Sequence, residues 1–339
     1  MIFYCLLGAV FFASLSMTYV LRRYALANSL IDIPNARSSH TLPTPRGGGV
    51  AIVVSFLLGL PVLHSLQLVD LSTLIAFIGA GALISILGFA DDHGHVAARW
   101  RLTGHFLAAG WIFFWLGVGI KLSILGFVID LKWFTPVLFV VFIVWMLNLY
   151  NFMDGIDGLA SLEAISVCLS ACLVYWLGGN RELIWPLLLL VGAVTGFLCW
   201  NFPPARIFMG DAGSGFLGVT LAGAAIIATA RKPELLWCWL ILLGIFIVDA
   251  TWTLLRRLLR GDKIYEAHRT HAYQYASRQY RSHKSVVYAV LAINILWLTP
   301  LAILVAVGWF SGIIALVVAY APLVVIACKY QAGALEHQR

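Results

Sequence analysis

The sequence predicts an all-α, polytopic integral membrane protein, and three observations support that prediction. The chain of 339 residues is 62% hydrophobic and 11% charged, whereas a soluble globular domain carries about 25% charged residues. Apolar runs of about 20 residues, the length of a transmembrane helix, recur along the chain. Lys and Arg concentrate in alternate loops, as expected when positively charged loops stay on the cytoplasmic side.

Eleven apolar runs are predicted as transmembrane helices of a single membrane domain, residues 1–339. Arg22 and Arg23 follow the first run and no Lys or Arg precedes it, which indicates an uncleaved first helix rather than a signal peptide. The predicted spans are residues 3–21, 48–68, 71–90, 102–120, 134–151, 158–178, 183–200, 214–230, 235–255, 285–307 and 310–329.

Loop charges predict a periplasmic N-terminus and a cytoplasmic C-terminus. With that orientation, 17 of the 22 Lys and Arg residues lie inside. Because these charges follow topology, no nucleic-acid partner is expected. The six cysteines lie in or beside apolar runs and are predicted to pack there. Segment 121–133 is predicted to be an external amphipathic piece. The cytoplasmic loops are 22–47, 91–101, 151–157, 201–213 and 256–284.

Each cytoplasmic loop contains a distinctive polar motif, so the five loops are predicted to form one site at the membrane surface. The first loop holds His40 and Arg46, and the second holds Asp91-Asp92. Adjacent carboxylates repel each other and need a positive partner, for which a metal ion, Arg99 and Arg101 are the alternatives. A solvated helix end is the simpler explanation of an isolated Asp-Asp pair.

The third motif places Asn148, Asn151, Asp154 and Asp157 three residues apart. On a helix this spacing makes a slowly rotating polar stripe. Asn and Asp oxygens suit a hard cation such as Mg²⁺. Helix capping is the structural alternative, but Asn148 is costly at the end of such an apolar span unless it is used.

The last two motifs favour phosphate binding. Gly210-Asp-Ala-Gly-Ser214 precedes a span, where backbone N–H groups bind anions and Asp211 adds a metal ligand. His268-Arg-Thr-His271 offers a guanidinium fork and imidazoles to phosphate oxygens, with a solvated loop or a zinc pair as alternatives. Glu163 and Asp249, inside spans, are predicted either to brace the site or to reach the interface.

The ordered motifs resemble those of the polyprenyl-phosphate N-acetylhexosamine-1-phosphate transferases. The resemblance is carried by Asp91-Asp92, by Asn148–Leu159, by Phe208–Phe216 and by the His268–His271 segment, and it covers essentially the whole chain. It implies Mg²⁺-dependent transfer, with Mn²⁺ as a substitute, from a UDP-N-acetylamino sugar to undecaprenyl phosphate with release of UMP. It also implies a bacterial inner membrane, with the site facing the cytoplasm; a homodimer is left open.

The resemblance also implies residue roles. Asn151 and Asp211 would hold the metal ion, and Asp91, with Asp92 beside it, would act on the lipid phosphate as a base or by orienting it. Asp154 and Asp157 would shape the site and a uridine pocket. The predicted catalytic residues are Asp91, Asp92, Asp154 and Asp157. The predicted substrate-binding residues are Asn148, Arg101, His268, Arg269, His271, His40 and Arg46.

Two features favour a particular branch of the family. The peptidoglycan branch carries a run of consecutive His residues in its late loop, and here that run is broken as His268-Arg-Thr-His271. The stretch Arg37–Gly49 looks more like the branch that initiates O-antigen synthesis. A peptidoglycan-type transferase is the alternative within the family. Outside the family the alternatives are a transporter of sugar nucleotides or lipid-linked sugars and a non-catalytic scaffold. Clustering of the acids at one face disfavours a transporter, whose site would lie near the bilayer midplane.

Overall fold

The computed structural model describes residues 2–34, 40, 42–94, 96–116, 121–124, 127–130, 132, 134–262 and 268–335. Helices dominate this part of the chain, and they are joined by two short antiparallel strand pairs. The all-α prediction is therefore confirmed. Most helices are apolar on every side, as expected of helices that contact either lipid or other helices.

Each of the eleven predicted spans coincides with helical structure. The first eight helices are α1 (Ile2–Ala27), α2 (Val50–Ser65), α3 (Leu71–His93), α4 (Ala98–Leu116), α5 (Phe134–Met153), α6 (Leu159–Leu177), α7 (Ile184–Asn201) and α8 (Asp211–Arg231). The others are α9 (Leu235–Leu242), α10 (Gly244–Leu259), α11 (Ala272–Tyr280), α12 (His283–Ile293), α13 (Thr299–Ala306) and α14 (Gly312–Lys329).

Within the described residues, eight helical segments are long and apolar enough to cross a membrane. The α9–α10 pair makes a ninth if it is counted as one span. Helix α2, with 16 residues, is shorter than those eight segments, and α4 carries Arg99 and Arg101 in its first turn. The structure is thus a multi-span helical bundle, while the count of eleven and the orientation of the termini stay predictions.

Three segments differ from the sequence expectation. The span predicted over 235–255 is broken, with α9 and α10 bent by 70°. A π-helical turn at Asn294–Leu298 interrupts the span predicted over 285–307. In place of an amphipathic piece at 121–133, the strands β3 (Leu122–Ile124) and β4 (Phe127–Ile129) form a hairpin. Its tip and the residues that join it to α4 and α5 lie outside the described residues.

Helix α8 occupies the centre of the bundle, and nearly all of its residues are buried. Gly218 shows how closely its neighbours approach, because a Cβ atom there would lie 2.7 Å from the Met146 carbonyl oxygen of α5. Small residues allow such backbone contact between membrane helices. The N-terminus of α8, where Asp211 lies, is consequently held between the ends of α3 and α5.

The loop between α1 and α2 is fixed to the start of α8 by backbone hydrogen bonds. Strand β1 (Ile31–Asp32) pairs with β2 (Thr44–Pro45). The Phe208 N–H then donates to the Pro45 carbonyl at 2.8 Å, and the Gly49 N–H donates to the Met209 carbonyl at 2.8 Å. This pairing brings the residues after β2 to the segment that precedes Asp211.

Candidate active site

Close backbone packing brings the acidic ends of α3 and α8 together. A Cβ atom on Gly88 of α3 would overlap the backbone of Asp211 and Ala212, so a larger residue cannot fit without displacing α8. Gly210 has a φ of +77°, and a Cβ atom there would lie 2.5 Å from Asp92 Oδ2. The Asp211 N–H can therefore donate to Asp92 Oδ1 at 3.2 Å.

Asp91, Asp92 and Asp211, with Asn151, form what we call the acid cluster. Asn151 Nδ2 donates to Asp211 Oδ1 at 2.8 Å and to Ser214 Oγ at 3.2 Å. The Asp91 and Asp211 carboxyl groups are neighbours, and Asp92 Oδ2 is buried without a hydrogen-bond partner among the described residues. The sequence predicted this convergence, although Asp91 and Asp92 lie in the last turn of α3 rather than beyond it.

Two arginines lie against the acid cluster. Arg101 Nη1 is 2.8 Å from Asp91 Oδ2 and 3.7 Å from Asp211 Oδ2. Arg46 donates to the Asp92 carbonyl, and its Nε lies 4.0 Å from Asp92 Oδ1. Arg99, the alternative counter-ion, instead holds its guanidinium over the Trp100 ring. Of Arg99 and Arg101, the two arginines that the sequence offered as counter-ions of the Asp91-Asp92 pair, Arg101 is therefore the one that pairs with it.

Asp154 and Asp157 lie in the turn after α5, so the predicted helical stripe is wrong beyond Asn151. Helix α5 ends at Met153, and Gly158, with a φ of +74°, starts α6. Asp154 keeps some solvent access but is surrounded by protein, and burial together with the charges of Asp211, Asp92 and Asp157 raises its pKa well above the usual value. These surroundings thus favour the protonated form of Asp154 relative to an exposed aspartate.

Asp157 has the opposite electrostatic setting. Burial acts to raise its pKa, but hydrogen bonds from His283 and from the Ala205 N–H outweigh burial and lower the pKa. His283 Nδ1 lies 3.3 Å from Asp157 Oδ2, and the Ala205 N–H donates to the same oxygen at 3.0 Å. Asp157 is therefore a fixed negative charge on the side of the site that faces α12.

The His268–His271 segment joins the site through the end of α5. The His271 ring stacks on Phe152, next to Asn151, with centroids 6.3 Å apart, and His268 stacks on His271 at 5.0 Å. Burial, followed by the nearby His271 and Arg257, lowers the pKa of His268 to about 3, so its imidazole is neutral at pH 7. The Arg269 carbonyl accepts from Arg278 Nη1 at 3.2 Å, and a role for the Arg269 guanidinium stays a prediction.

An apolar groove of about 400 Å³ opens on one side of the acid cluster. Its walls come mainly from α3, α4 and α5, and its polar end is formed by Asp91, Arg101, Asn151 and Asp211. Asn148 lies along this groove, where its Nδ2 donates to the Val144 carbonyl at 2.7 Å and lies 3.3 Å from His105 Nδ1. The apolar lining includes Leu87, Leu102, Phe106, Val141, Val144, Trp145 and Leu147.

A second cavity, of about 600 Å³, is lined by Phe208, three residues before Asp211, and we call it the basic cavity. His40 lies at its edge, where its ring packs edge-on against Phe208 with centroids 4.8 Å apart. Asp157 is its acidic residue, and its cations come from the end of α11 and the start of α12: Arg278, Arg281, His283 and Lys284. Residues 35–39 and Thr41, which belong to the stretch that favours one branch of the family, lie outside the described residues.

Several residues of the site were not predicted from the sequence. His105, His283 and Arg278 reach it only because distant helices fold against it, and none lies in a recognisable motif. Tyr273 follows the His268–His271 segment, and its hydroxyl donates to the Phe152 carbonyl at 2.9 Å. In the sequence, the one indication that Tyr273 belongs to the site was its position beside the His268–His271 motif.

Comparison with known proteins gives a family-model match, glycosyl transferase family 4, over residues 74–229. This range runs from α3 to α8 and contains the whole acid cluster. A curated relative from Bacillus subtilis, "Probable undecaprenyl-phosphate N-acetylglucosaminyl 1-phosphate transferase", is 29% identical over 88% of this chain and 84% of its own length. An "Undecaprenyl-phosphate alpha-N-acetylglucosaminyl 1-phosphate transferase" from Thermotoga maritima is 28% identical over 84% and 87%.

A third relative extends the similarity to another named activity. The "Phospho-N-acetylmuramoyl-pentapeptide-transferase" of Pelotomaculum thermopropionicum is 31% identical to this chain over 253 residues. The match spans 68% of this chain and 74% of the relative. Family, coverage and the ordered motifs agree with one another. The chain therefore belongs to glycosyl transferase family 4 and is an integral membrane transferase.

Proposed function

We propose that this protein transfers an N-acetylamino-sugar 1-phosphate from a UDP-sugar to undecaprenyl phosphate and releases UMP. The observation that carries the proposal is that two cavities of opposite character lie at the two ends of one short segment: Asp211 lines the first, and Phe208, three residues earlier, lines the second. One is an apolar groove among membrane helices, and the other is lined by cations and an aromatic pair. A lipid phosphate and a nucleotide sugar require these two environments.

The apolar groove suits the polyprenyl acceptor. A polyprenyl chain has no groups that hydrogen-bond, so it is best accommodated by aliphatic and aromatic walls such as Leu102, Phe106 and Trp145. The phosphate at its end would lie beside Arg101 and Asp91, at the polar end of the groove. This arrangement supports Asp91 as the group that orients or deprotonates the lipid phosphate, with Asp92 beside it.

The basic cavity suits the UDP moiety of the donor. Phe208 and His40 offer ring faces to a base, and Asp157 offers a fixed hydrogen-bond acceptor. The cations at the cavity complement a diphosphate. We assign diphosphate binding to His268, Arg269 and His271 and substrate contact to Arg46 and Asn148, while Asp154 shapes the site between the two cavities.

The donor set of the acid cluster fits a divalent cation. Among the described residues, no group of three His, Cys, Asp and Glu side chains forms a preformed cage. Mg²⁺ is commonly held by one or two carboxylates together with substrate phosphates and water. Asp211 and Asn151 fit that requirement, and the unpartnered Asp92 Oδ2 is available nearby. Mg²⁺, or Mn²⁺ in its place, would neutralise charge on the donor diphosphate.

The chemistry exchanges one diphosphate linkage for another. An oxygen of the lipid phosphate attacks the phosphorus that carries the sugar, and the bond from that phosphorus to the oxygen of UMP breaks, with its electron pair leaving on UMP. Arg101 and Arg46 reduce the repulsion between the two anionic substrates. We favour this direct displacement over a covalent intermediate on Asp91 or Asp92. Exchange of labelled UMP into the UDP-sugar without lipid would contradict direct displacement.

We assign the protein to initiation of O-antigen or another cell-surface polysaccharide, on the stretch Arg37–Gly49 and the broken His268–His271 run. The similarity to a phospho-N-acetylmuramoyl-pentapeptide-transferase makes a peptidoglycan-type activity the second candidate. The transporter and scaffold alternatives lose their support because the chain belongs to a transferase family. Whether two copies associate is a separate question, which the mass of the purified particle tests.

The same proposal includes eleven spans in a bacterial inner membrane, with the site at the cytoplasmic face. It is supported by the loop charges and by the location of the acid cluster at the helix ends predicted to lie inside. Single cysteines are introduced into a Cys-free variant at Asp70 and at Arg281 and treated with a membrane-impermeant thiol reagent. The cysteine at position 70 should react in intact cells, and the cysteine at position 281 should react only after the membrane has been opened. Reaction of both from the same side would contradict the assigned topology.

The function is tested with purified protein in detergent, undecaprenyl phosphate, Mg²⁺ and a panel of UDP-sugars that includes UDP-N-acetylmuramoyl-pentapeptide. We expect UMP release that requires both lipid and Mg²⁺, and the best donor identifies the branch. Release of UDP would mean a plain glycosyl transfer. Absence of release with every donor, from protein shown to be folded, would contradict the proposal.

A further inference from the structure

Asp249 is a buried carboxylate behind the His268–His271 segment, and the function above gives it no role. It lies on α10 with only 6% of its surface exposed. Four groups surround its carboxylate: the Ala272 N–H at 2.9 Å, the Tyr273 N–H at 3.0 Å, the Thr253 hydroxyl at 3.2 Å and His271 Nδ1 at 3.3 Å. Three of these four groups belong to the segment that begins α11.

The contacts of Asp249 fix the start of α11. Ala272 and Tyr273 are the first two residues of that helix, and their N–H groups have no acceptor within the helix. A carboxylate that accepts from such groups stabilises the helix N-terminus through hydrogen bonds and through the helix dipole. Because the carboxylate comes from α10, it also sets where α11 begins relative to the membrane bundle.

From α11 the same contacts reach the end of α5. The Tyr273 hydroxyl donates to the Phe152 carbonyl, and a Cβ atom at Gly155 would overlap that hydroxyl. The His271 ring stacks on Phe152 and on His268, with interplanar angles of 29° and 27°. Displacing the start of α11 would therefore move His271 and His268 relative to the turn that carries Asp154.

We propose that Asp249 is a positioning residue for donor binding, which acts through His271 and Tyr273 without touching the substrate. The inference rests on the proposed function, in which the His268–His271 segment binds the donor diphosphate. A general structural role is the competing explanation, and Glu163 provides the contrast. Glu163 is fully buried and accepts from Asn294 Nδ2 at 2.6 Å, between α6 and the π-helical turn.

The kinetic test compares Asp249→Asn with Glu163→Gln, each of which replaces a buried carboxyl group with an amide at nearly constant size. Asp249→Asn loses one of two acceptor oxygens and leaves a backbone N–H of α11 without its partner. We expect its KM for the UDP-sugar to rise about ten- to a hundredfold, while its KM for undecaprenyl phosphate stays unchanged. Asp249→Glu, which restores the carboxylate, should recover part of the donor affinity. Glu163→Gln should lower thermal stability and leave both KM values unchanged.

Hydrogen-exchange mass spectrometry gives a second readout that does not depend on activity. In Asp249→Asn, the peptide that contains Ala272 and Tyr273 should exchange faster than in the wild type, because one of these two amides loses its acceptor. Glu163→Gln should leave that peptide unchanged. Unchanged exchange in Asp249→Asn would overturn the inference, as would faster exchange without a selective rise in donor KM. If the wild type releases no UMP from any donor, the proposed function fails, while the exchange result still decides whether Asp249 holds α11.

Discussion

The apolar groove and the basic cavity are lined by residues three positions apart in the chain, Asp211 and Phe208, but are otherwise built from different parts of the molecule. The groove is formed by the membrane helices α3, α4 and α5, and polar side chains are concentrated at its inner end. The basic cavity is formed by the loop between α1 and α2, the segment before α8, the end of α11 and the start of α12. In the proposed function, the groove holds the hydrocarbon chain of the acceptor, and the basic cavity holds the charged and aromatic groups of the donor.

This difference supports the proposed transfer at the junction, the place where the phosphates of the two substrates would meet. A polyprenyl chain that entered the basic cavity would leave cations without partners, and a nucleotide that entered the groove would leave its phosphates without hydrogen bonds. Under the proposed function, each substrate is therefore disfavoured in the wrong cavity, and the phosphates of the two substrates meet beside Asp91, Asp211 and Arg101. The following variants test that division, from the largest expected effect to the smallest.

Loss of the predicted metal ligands should have the largest effect, because both substrates depend on the junction. Asp211→Asn and Asn151→Ala should each lower kcat by about a thousandfold or more while the protein inserts normally. The measurement is UMP release at saturating Mg²⁺. Asp130→Asn, which removes an exposed charge after β4, is the control and should be fully active. Near-normal rates in either site variant would mean that the metal assignment is wrong.

Gly88→Ala tests whether the helix ends must touch. The added Cβ atom would overlap the α8 backbone at Asp211 and Ala212, so we expect a loss of about 1–3 kcal/mol in stability and about a tenfold or greater fall in kcat. Gly110→Ala is the matched control, because that helical glycine has open space around it. Thermal unfolding in detergent and UMP release are compared for both. Equal behaviour of the two variants would contradict the packing argument.

A filled groove should impair lipid binding alone. Val141→Trp adds bulk to the wall of the groove, and we expect its KM for undecaprenyl phosphate to rise by about fivefold or more, since buried apolar contacts are lost. Val137→Trp, one turn earlier on the same exposed face of α5, is the control. Donor KM should be unchanged in both variants. A rise in donor KM for Val141→Trp would contradict the assignment of the groove to lipid binding alone.

His40→Ala is the complementary change at the basic cavity. It removes an edge-on aromatic contact with Phe208, and such contacts contribute about 0.5–1.5 kcal/mol beyond burial, so we expect donor KM to rise by about two- to tenfold. The KM for the lipid should not change. His64→Ala, at the opposite end of the bundle, serves as the control. If the lipid KM rises instead, His40 belongs to the acceptor side.

Much of the fold follows from apolar runs, because only helices of sufficient length satisfy the backbone in a bilayer. That constraint explains why the helices fall where the sequence predicts them. It does not determine how neighbours bend: the break between α9 and α10 and the π-helical turn at Asn294 depend on contacts between distant segments. The hairpin at 122–129 was missed because short mixed segments have no clear periodicity.

The site shows the same division between local and long-range information. Asp91, Asn151 and Asp211 are recognisable because each lies at a helix end within a motif. His283 was not, since its contact with Asp157 joins residues 126 positions apart and nothing near it in the sequence indicates that contact. Asp249 could be noticed as an acid within a span, but its role in holding α11 requires the hydrogen bonds seen in the structure.

The central claim is that the sugar leaves its donor together with the phosphate that carries it. A UDP-sugar labelled with ³²P at the sugar-bearing phosphorus tests this claim most directly, with undecaprenyl phosphate and Mg²⁺ present. We predict that the label moves into the organic-extractable lipid together with the sugar and that unlabelled UMP is released. Sugar in the lipid with the label left on UDP would contradict the account.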